Sequence, residues 1–200
     1  MQKFITIVGA SGIGKTTLVR ALAQTGKFTT ALEGHAERPF QALFKQDPRY
    51  ALANQMDYLL HRAGQEQELR AAPKPGLMDG GLDLDFHGFT RLFHSRGLLS
   101  DPEHDLCRRL YTFIRAAYPP PELVVSLKAD SETVAGRLSG RNRINIARAE
   151  DTERFNQYLE EWLASLPSTQ VLTLDVSQED VEYKKSVQTI LAQIQKWSNS

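Results

Sequence analysis

Gly9-Ala10-Ser11-Gly12-Ile13-Gly14-Lys15-Thr16 sets glycines, a lysine and a hydroxyl in the spacing G-x-x-x-x-G-K-T. Glycines let a backbone curl until several N–H groups point into one hollow, and such a hollow takes an anion. Lys15 then reaches the β and γ phosphates of a nucleoside triphosphate, and the Thr16 hydroxyl ligates the magnesium ion that accompanies them. Thr17 packs or caps the following turn. The flanking sequence supplies the required context: Phe4-Ile5-Thr6-Ile7-Val8 reads as a strand before the loop, and Leu18 to Ala23 as helix after it. The helix turns its positive dipole end toward the same hollow. ATP with Mg2+ is the expected ligand.

Other chemistry-bearing residues are spread along the chain. Glu33 and Asp79 end short apolar runs, where an open parallel sheet collects its ligand contacts. Arg137, Arg141, Arg143 and Arg148 form a run with no acid before Glu150, which reads as a cationic flap, about 137–150, over a triphosphate. Five histidines have no i, i+4 pair and no cysteine partner, so a structural metal site is not expected. Cys107, among Leu106, Leu110 and Phe113, reads as a core filler. Asp83 reads as a helix cap.

Apolar runs at 4–8, 28–33, 75–79, 123–128 and 170–175 alternate with helical stretches, which predicts a five-stranded parallel sheet covered on both faces. The stretch 48–70 reads as an amphipathic helix with Leu52, Met56, Leu59, Leu60 and Ala63 on one face and Gln55 and Arg62 at the stripe's border. Helices are also expected at 102–117, from a cap at Ser131, over 151–166 and over 181–197.

Two hundred residues, 41% hydrophobic, suit a single α/β domain spanning 1–200. Twenty-four basic residues balance twenty-four acidic ones, so no global field favours nucleic acid or an anionic membrane. With one cysteine, no leader-like start and no run of about 20 apolar residues, a cytoplasmic protein is expected.

In this order the pieces resemble the deoxynucleoside kinases over nearly the whole chain. The resemblance rests on the loop at 9–16, Glu33, Pro39-Phe40, Asp47-Pro48, Gln55 with Arg62, Asp79 followed by Asp85, and Arg137-x-x-x-Arg141. It implies the three-layer P-loop NTPase fold with an Arg-rich lid, and γ-phosphoryl transfer from ATP to the 5′-hydroxyl of a (deoxy)nucleoside. It assigns proton removal from that hydroxyl to Glu33, a role a carboxylate beside a triphosphate suits. Lys15, Arg137 and Arg141 would balance transition-state charge, Thr16 and Asp79 would serve the metal, and Gln55, Arg62 and Asp85 would hold the nucleobase. A homodimer is expected on the same ground.

The chain also departs from the family pattern. The acid-arginine-serine motif after the third strand stands here as Asp79-Gly80-Gly81, Glu33 is followed by Gly34 rather than proline, Lys45 replaces a sugar-binding tyrosine, and Ile146 replaces the lid's acid. Two other readings stay open on these departures: a nucleotide-binding regulatory subunit or sensor of kinase ancestry, or a kinase for another small alcohol or a nucleotide.

Overall fold

The structure is a computed structural model that describes residues 3–32, 37–130, 133–134, 149–180 and 182–198. Five strands, β1 (Phe4–Val8), β2 (Thr29–Ala31), β3 (Gly76–Asp79), β4 (Leu123–Lys128) and β5 (Val171–Asp175), form one sheet in the order β2-β3-β1-β4-β5. Every pairing is parallel. The expected runs at 28–33, 75–79 and 170–175 shorten by one or more residues at their ends. All of β1 is buried, as a central parallel strand must be when helices cover both faces.

Alternation along β1 divides the core. Ile5 and Ile7 face one side, packing with Leu77, Leu123 and Val125 against Leu18, Val19 and Leu22 of α1 (Lys15–Gln24) and Ile190 of the terminal helix (Lys184–Ser198). On the opposite side Val8 and Val124 meet Phe155, Leu159 and Trp162 of the helix Ala149–Ala164, while Phe4 meets Leu69. The result is three layers, helix on sheet on helix. The terminal helix begins at Lys184, three residues after the expected start.

Between β1 and β4 lie α2 (Pro39–Gln46), α3 (Ala51–Ala71), α4 (Leu82–Leu84), a π-helical segment (Asp85–Thr90), α5 (Arg91–Ser95) and α6 (Asp101–Ala117). The expected helix at 48–70 is a 3-10 turn, Pro48–Tyr50, running into α3. Numbering the two later helices in chain order makes Ala149–Ala164 α7 and Lys184–Ser198 α8.

Several expectations about side chains change. Leu60, assigned to the apolar face of α3, is 56% exposed, and Phe113, assigned to the surroundings of Cys107, is 76% exposed. Conversely, Gln55 and Arg62 are buried rather than bordering. Leu52, Met56, Leu59 and Ala63 do pack in the apolar cluster as expected, and beside them α3 also carries its polar residues Gln55, Arg62, Glu66 and Arg70 into the molecule. Cys107 itself is fully buried, and burial pushes its thiol up to about 11.

Asp83 is not a cap. It is buried and accepts hydrogen bonds from Tyr111 (2.7 Å) and from Nε (2.9 Å) and Nη2 (2.8 Å) of Arg115. Arg115 also reaches Glu66 through both terminal nitrogens, and Arg70 Nε donates to Glu66 at 2.9 Å. Two carboxylates and two guanidiniums thus lock α3, α4 and α6 together. Such a pairing offsets the heavy desolvation of its members, and losing one partner would strand the rest. Ser131 lies outside the described residues; the N–H of Thr133 is taken by Asp130 Oδ1 at 2.6 Å.

Candidate active site

The loop between β1 and α1 turns on Gly12 and Gly14, whose φ values of 82° and 109° lie in the left-handed region that side chains disfavour. Gly14 is the N-cap of α1, and no side chain caps that helix end. Its first amides therefore open toward the loop, the arrangement that attracts phosphate. Lys15 Nζ donates to the carbonyls of Gly9 (3.0 Å) and Ala10 (2.9 Å), holding the ammonium along the loop. Ser11 is exposed, Ala10, Gly12 and Ile13 are buried, and Thr17 is half-buried in the first helical turn.

Thr16 Oγ1 donates to Asp79 Oδ2 at 2.5 Å. β3 ends at Asp79 and pairs directly with β1, with Ile7 opposite Asp79, so the two carboxyl-terminal strand ends deliver a hydroxyl and a carboxylate to one point. A hydroxyl beside a carboxylate is an all-oxygen, hard donor set of the kind magnesium prefers. The residues at this point fit that ion.

A second group of polar side chains lies next to it. Arg62 Nε donates to Asp85 Oδ2 at 2.9 Å, with both side chains buried. Arg62 Nη1 donates to Gln65 Oε1 (3.1 Å), and Gln65 in turn donates to the Leu32 carbonyl (3.5 Å) just beyond β2. Gln55 Oε1 accepts from the hydroxyl of Thr90 at 3.0 Å. Gln55 and Arg62 are seven residues apart, two helical turns, and so share the face of α3 that looks onto the π-helical segment.

Gly80 joins the two groups. It follows Asp79 directly, its φ is 77°, and a Cβ built there would stand 3.6 Å from Arg62 Nη2. An L-residue at 80 would be strained by the backbone, so the arginine of the family motif is not simply missing: the turn is shaped for glycine. Lys45, on α2, pairs with Glu37. Arg38 forks onto Asp57 with both Nε (2.5 Å) and Nη2 (2.6 Å), and this pairing holds the Asp57 carboxyl below its usual range.

Of the residues expected from sequence, the structure brings together Lys15, Thr16 and Asp79 at one point and Gln55, Arg62 and Asp85 at another. Glu33, Gly34, Arg137, Arg141, Arg143, Ile146 and Arg148 lie outside the described residues. Thr90 and Gln65 escaped the sequence reading. Thr90 follows Asp85 by five residues, and only a π-helical turn returns that spacing to one face, so helical periodicity gives no signal for it.

Comparisons with known proteins agree with this geometry. The sequence model of the family described as "Deoxynucleoside kinase" matches residues 5–198. The chain is 25% identical to a deoxyadenosine/deoxycytidine kinase of Bacillus subtilis (strain 168), covering 96% of this chain and 92% of that protein. It is 24% identical to a deoxyguanosine kinase of the same organism, over 92% of this chain and 91% of that one. In fold it is similar to a deoxyadenosine kinase from M. mycoides solved with bound dATP, with a TM-score of 0.74 at 18% identity, covering 96% of this chain and 99% of that chain. The same enzyme with bound dCTP superposes with a TM-score of 0.76. A match running from the first strand to the last helix leaves no part of the sheet unaccounted for, and the chain belongs to the deoxynucleoside kinase family, phosphotransferases that move phosphate from ATP to a nucleoside hydroxyl.

Proposed function

We propose that this chain transfers the γ-phosphoryl group of ATP to the 5′-hydroxyl of a deoxynucleoside, with its triphosphate in the Gly9–Thr16 loop and the acceptor base against Gln55, Arg62 and Asp85. One observation carries the reading. Asp79 is bonded to Thr16 at the mouth of the loop, and the next residue, Gly80, lies against the Arg62 guanidinium. Phosphate chemistry and base recognition are therefore one residue apart along the chain, a spacing suited to a sugar bridging the two.

Lys15 compensates the charge that develops on the transferred group. Thr16 and Asp79 would hold Mg2+, which when bound neutralises the phosphate oxygens. Glu33, one residue past the Leu32 carbonyl that Gln65 holds, takes the proton of the attacking hydroxyl, and Arg137 and Arg141 serve as the lid cations; these three roles rest on the resemblance of the motifs. The chain acts in the cytoplasm as a homodimer. Leu60 on α3 and Phe113 on α6, helices packed on one another, are large and exposed, and a paired copy would cover them.

The test incubates purified protein with ATP, magnesium and a panel of deoxynucleosides and follows ADP release. Turnover that Lys15→Ala and Glu33→Gln each lower by about 10²-fold or more, on the order expected for loss of a charge-stabilising or proton-accepting group, supports the reading. ATP binding without turnover on any nucleoside overturns it in favour of the sensor alternative. Light scattering tests the dimer: a monomeric mass for the native protein removes it.

A further inference from the structure

We propose that Arg62 is a catalytic cation as well as a base contact: its Nη2, lying against the glycine turn after β3, touches the phosphoryl group as that group reaches the 5′ oxygen of the acceptor. The inference rests on the proposed function and deepens it. The Arg62 side chain is only 4% exposed, so its charge acts from a desolvated place, where an ionic contact is stronger than in water. Two of its nitrogens fix the plane of the guanidinium. Nε donates to Asp85 Oδ2 at 2.9 Å, and Nη1 donates to Gln65 Oε1 at 3.1 Å. Held at those two points, the group turns Nη2 to Gly80, where a built Cβ would stand 3.6 Å from Nη2 and 4.0 Å from Cζ.

Gly80 follows Asp79, whose carboxylate takes the Thr16 hydroxyl at the mouth of the loop. The Gly80 N–H donates to the Ile7 carbonyl at 2.9 Å, which pins this turn to β1. With φ values of 77° and 129°, Gly80 and Gly81 shape a turn that favours glycine twice over and carries no side chain. The space beside Asp79 that a side chain at 80 would enter is met instead from α3, by a guanidinium. Lys15 belongs to the donor loop, bonded to its carbonyls, whereas Arg62 belongs to the acceptor half, and the phosphoryl group passes from the first to the second.

In the transfer, the bond between the γ phosphorus and the oxygen bridging to the β phosphate breaks as the 5′ oxygen bonds to that phosphorus. ADP keeps the bridging oxygen, and the hydroxyl proton goes to the carboxylate assigned to Glu33. Charge is spread over the equatorial oxygens of the group in flight. A guanidinium keeps its own protons throughout and stabilises those oxygens by charge-assisted hydrogen bonds. The product carries a 5′-phosphate that the nucleoside lacks. Arg62 therefore has a partner in the product that it does not have in the substrate, and this separates the role from base reading, which both molecules share.

Calorimetric titration compares the deoxynucleoside of highest kcat/KM with its 5′-monophosphate on the native protein, Arg62→Lys, Arg62→Gln and Gln55→Leu, beside kcat and a thermal melt for each. The native protein is expected to bind the monophosphate about tenfold or more tighter than the nucleoside, the margin that a hydrogen bond to a charged group supplies. Arg62→Lys keeps a cation beside Asp85 but loses the planar fork, and Arg62→Gln loses the charge. Both should erase most of the margin and lower kcat about 10²-fold. Gln55→Leu should weaken the two ligands alike and leave the margin in place. A monophosphate that the native protein binds no better than the nucleoside overturns the proposal. So does a margin that survives both Arg62 variants, a margin that Gln55→Leu erases as fully, or a native kcat in either Arg62 variant. The native comparison needs no variant, and Arg62→Lys carries the test where Arg62→Gln does not fold. Absence of binding and turnover with every deoxynucleoside defeats the proposed function instead, and the two failures are distinct.

Discussion

The proposed donor and acceptor halves of the site are built on different principles. The donor half is backbone: nine consecutive residues, Gly9 to Thr17, shape it, and left-handed glycines and an uncapped helix end do the work. Side chains from distant elements make up the acceptor half instead, with α3 supplying Gln55 and Arg62 and the segment after β3 supplying Asp85 and Thr90. A backbone site of this kind tolerates change around it. A side-chain site depends on what holds its helices in register, and here the apolar cluster around Leu59, Leu82, Phe86 and Cys107 is joined by the buried cluster of Glu66, Arg70, Asp83 and Arg115.

The comparison breaks most sharply at that cluster. Arg115→Met leaves Glu66 and Asp83 buried without their shared cation and should cost about 3–5 kcal/mol, read as a lowered urea midpoint. Nucleoside binding should fall with it while ATP binding to the remaining folded protein persists; equal loss of both would show the halves to be one unit. Next in size, Lys15→Ala should reduce kcat about 10²–10³-fold with the melting temperature little changed, because its ammonium is bonded to the loop carbonyls of Gly9 and Ala10 outside the apolar core. A nucleoside KM that stays put sharpens the separation of the two halves.

Acid should weaken the acceptor half. His87 stacks on Trp162 at 5.5 Å between ring centroids and lies 3.2 Å from the Tyr111 hydroxyl, whose proton is given to Asp83. Burial, opposed by Asp83 and assisted by Arg91 and Arg115, lowers its pKa to about 4. Folded protein therefore holds His87 neutral while unfolded chain protonates it near pH 6.5, so between those values the unfolded state binds more protons and stability falls as pH falls. The loss reaches at most about 3 kcal/mol near pH 4. Urea midpoints at pH 7 and pH 5 should differ, and His87→Phe should flatten the difference; an unchanged slope would remove His87 as the cause. The smallest effect belongs to α6, where Ser100 and Glu103 form a capping box with the Ser100 N–H and hydroxyl both on Glu103. Ser100→Ala should cost about 1 kcal/mol of stability and leave both substrates' KM values untouched.

Legibility in the sequence follows the same division. The loop at 9–16 and the strand before it were readable because each residue's conformation depends on its immediate neighbours. α3 was readable as a helix and in most of its apolar face, Leu52, Met56, Leu59 and Ala63, but not in its buried polar residues, since the rule that charged residues point outward fails where Arg62, Glu66 and Arg70 pair inside the molecule. Asp83 was misread as a cap for the same reason: its partners Tyr111 and Arg115 come from a helix about thirty residues on, and no local pattern announces them. The glycine at 80 was readable as a departure from the family pattern, while its left-handed turn against Arg62 was not.

By itself the sequence determined the glycine loop between the first strand and the first helix, the place of each strand along the chain, and the three-layer α/β architecture, because glycine conformations, apolar runs and helix starts are local properties. Only the tertiary structure decided which polar residues of α3 are buried, which of them face the π-helical segment, and that the Thr90 hydroxyl donates to Gln55. Those choices depend on ion pairs and hydrogen bonds between residues far apart in the chain, whose energies exist only once water has been excluded from between the elements that carry them.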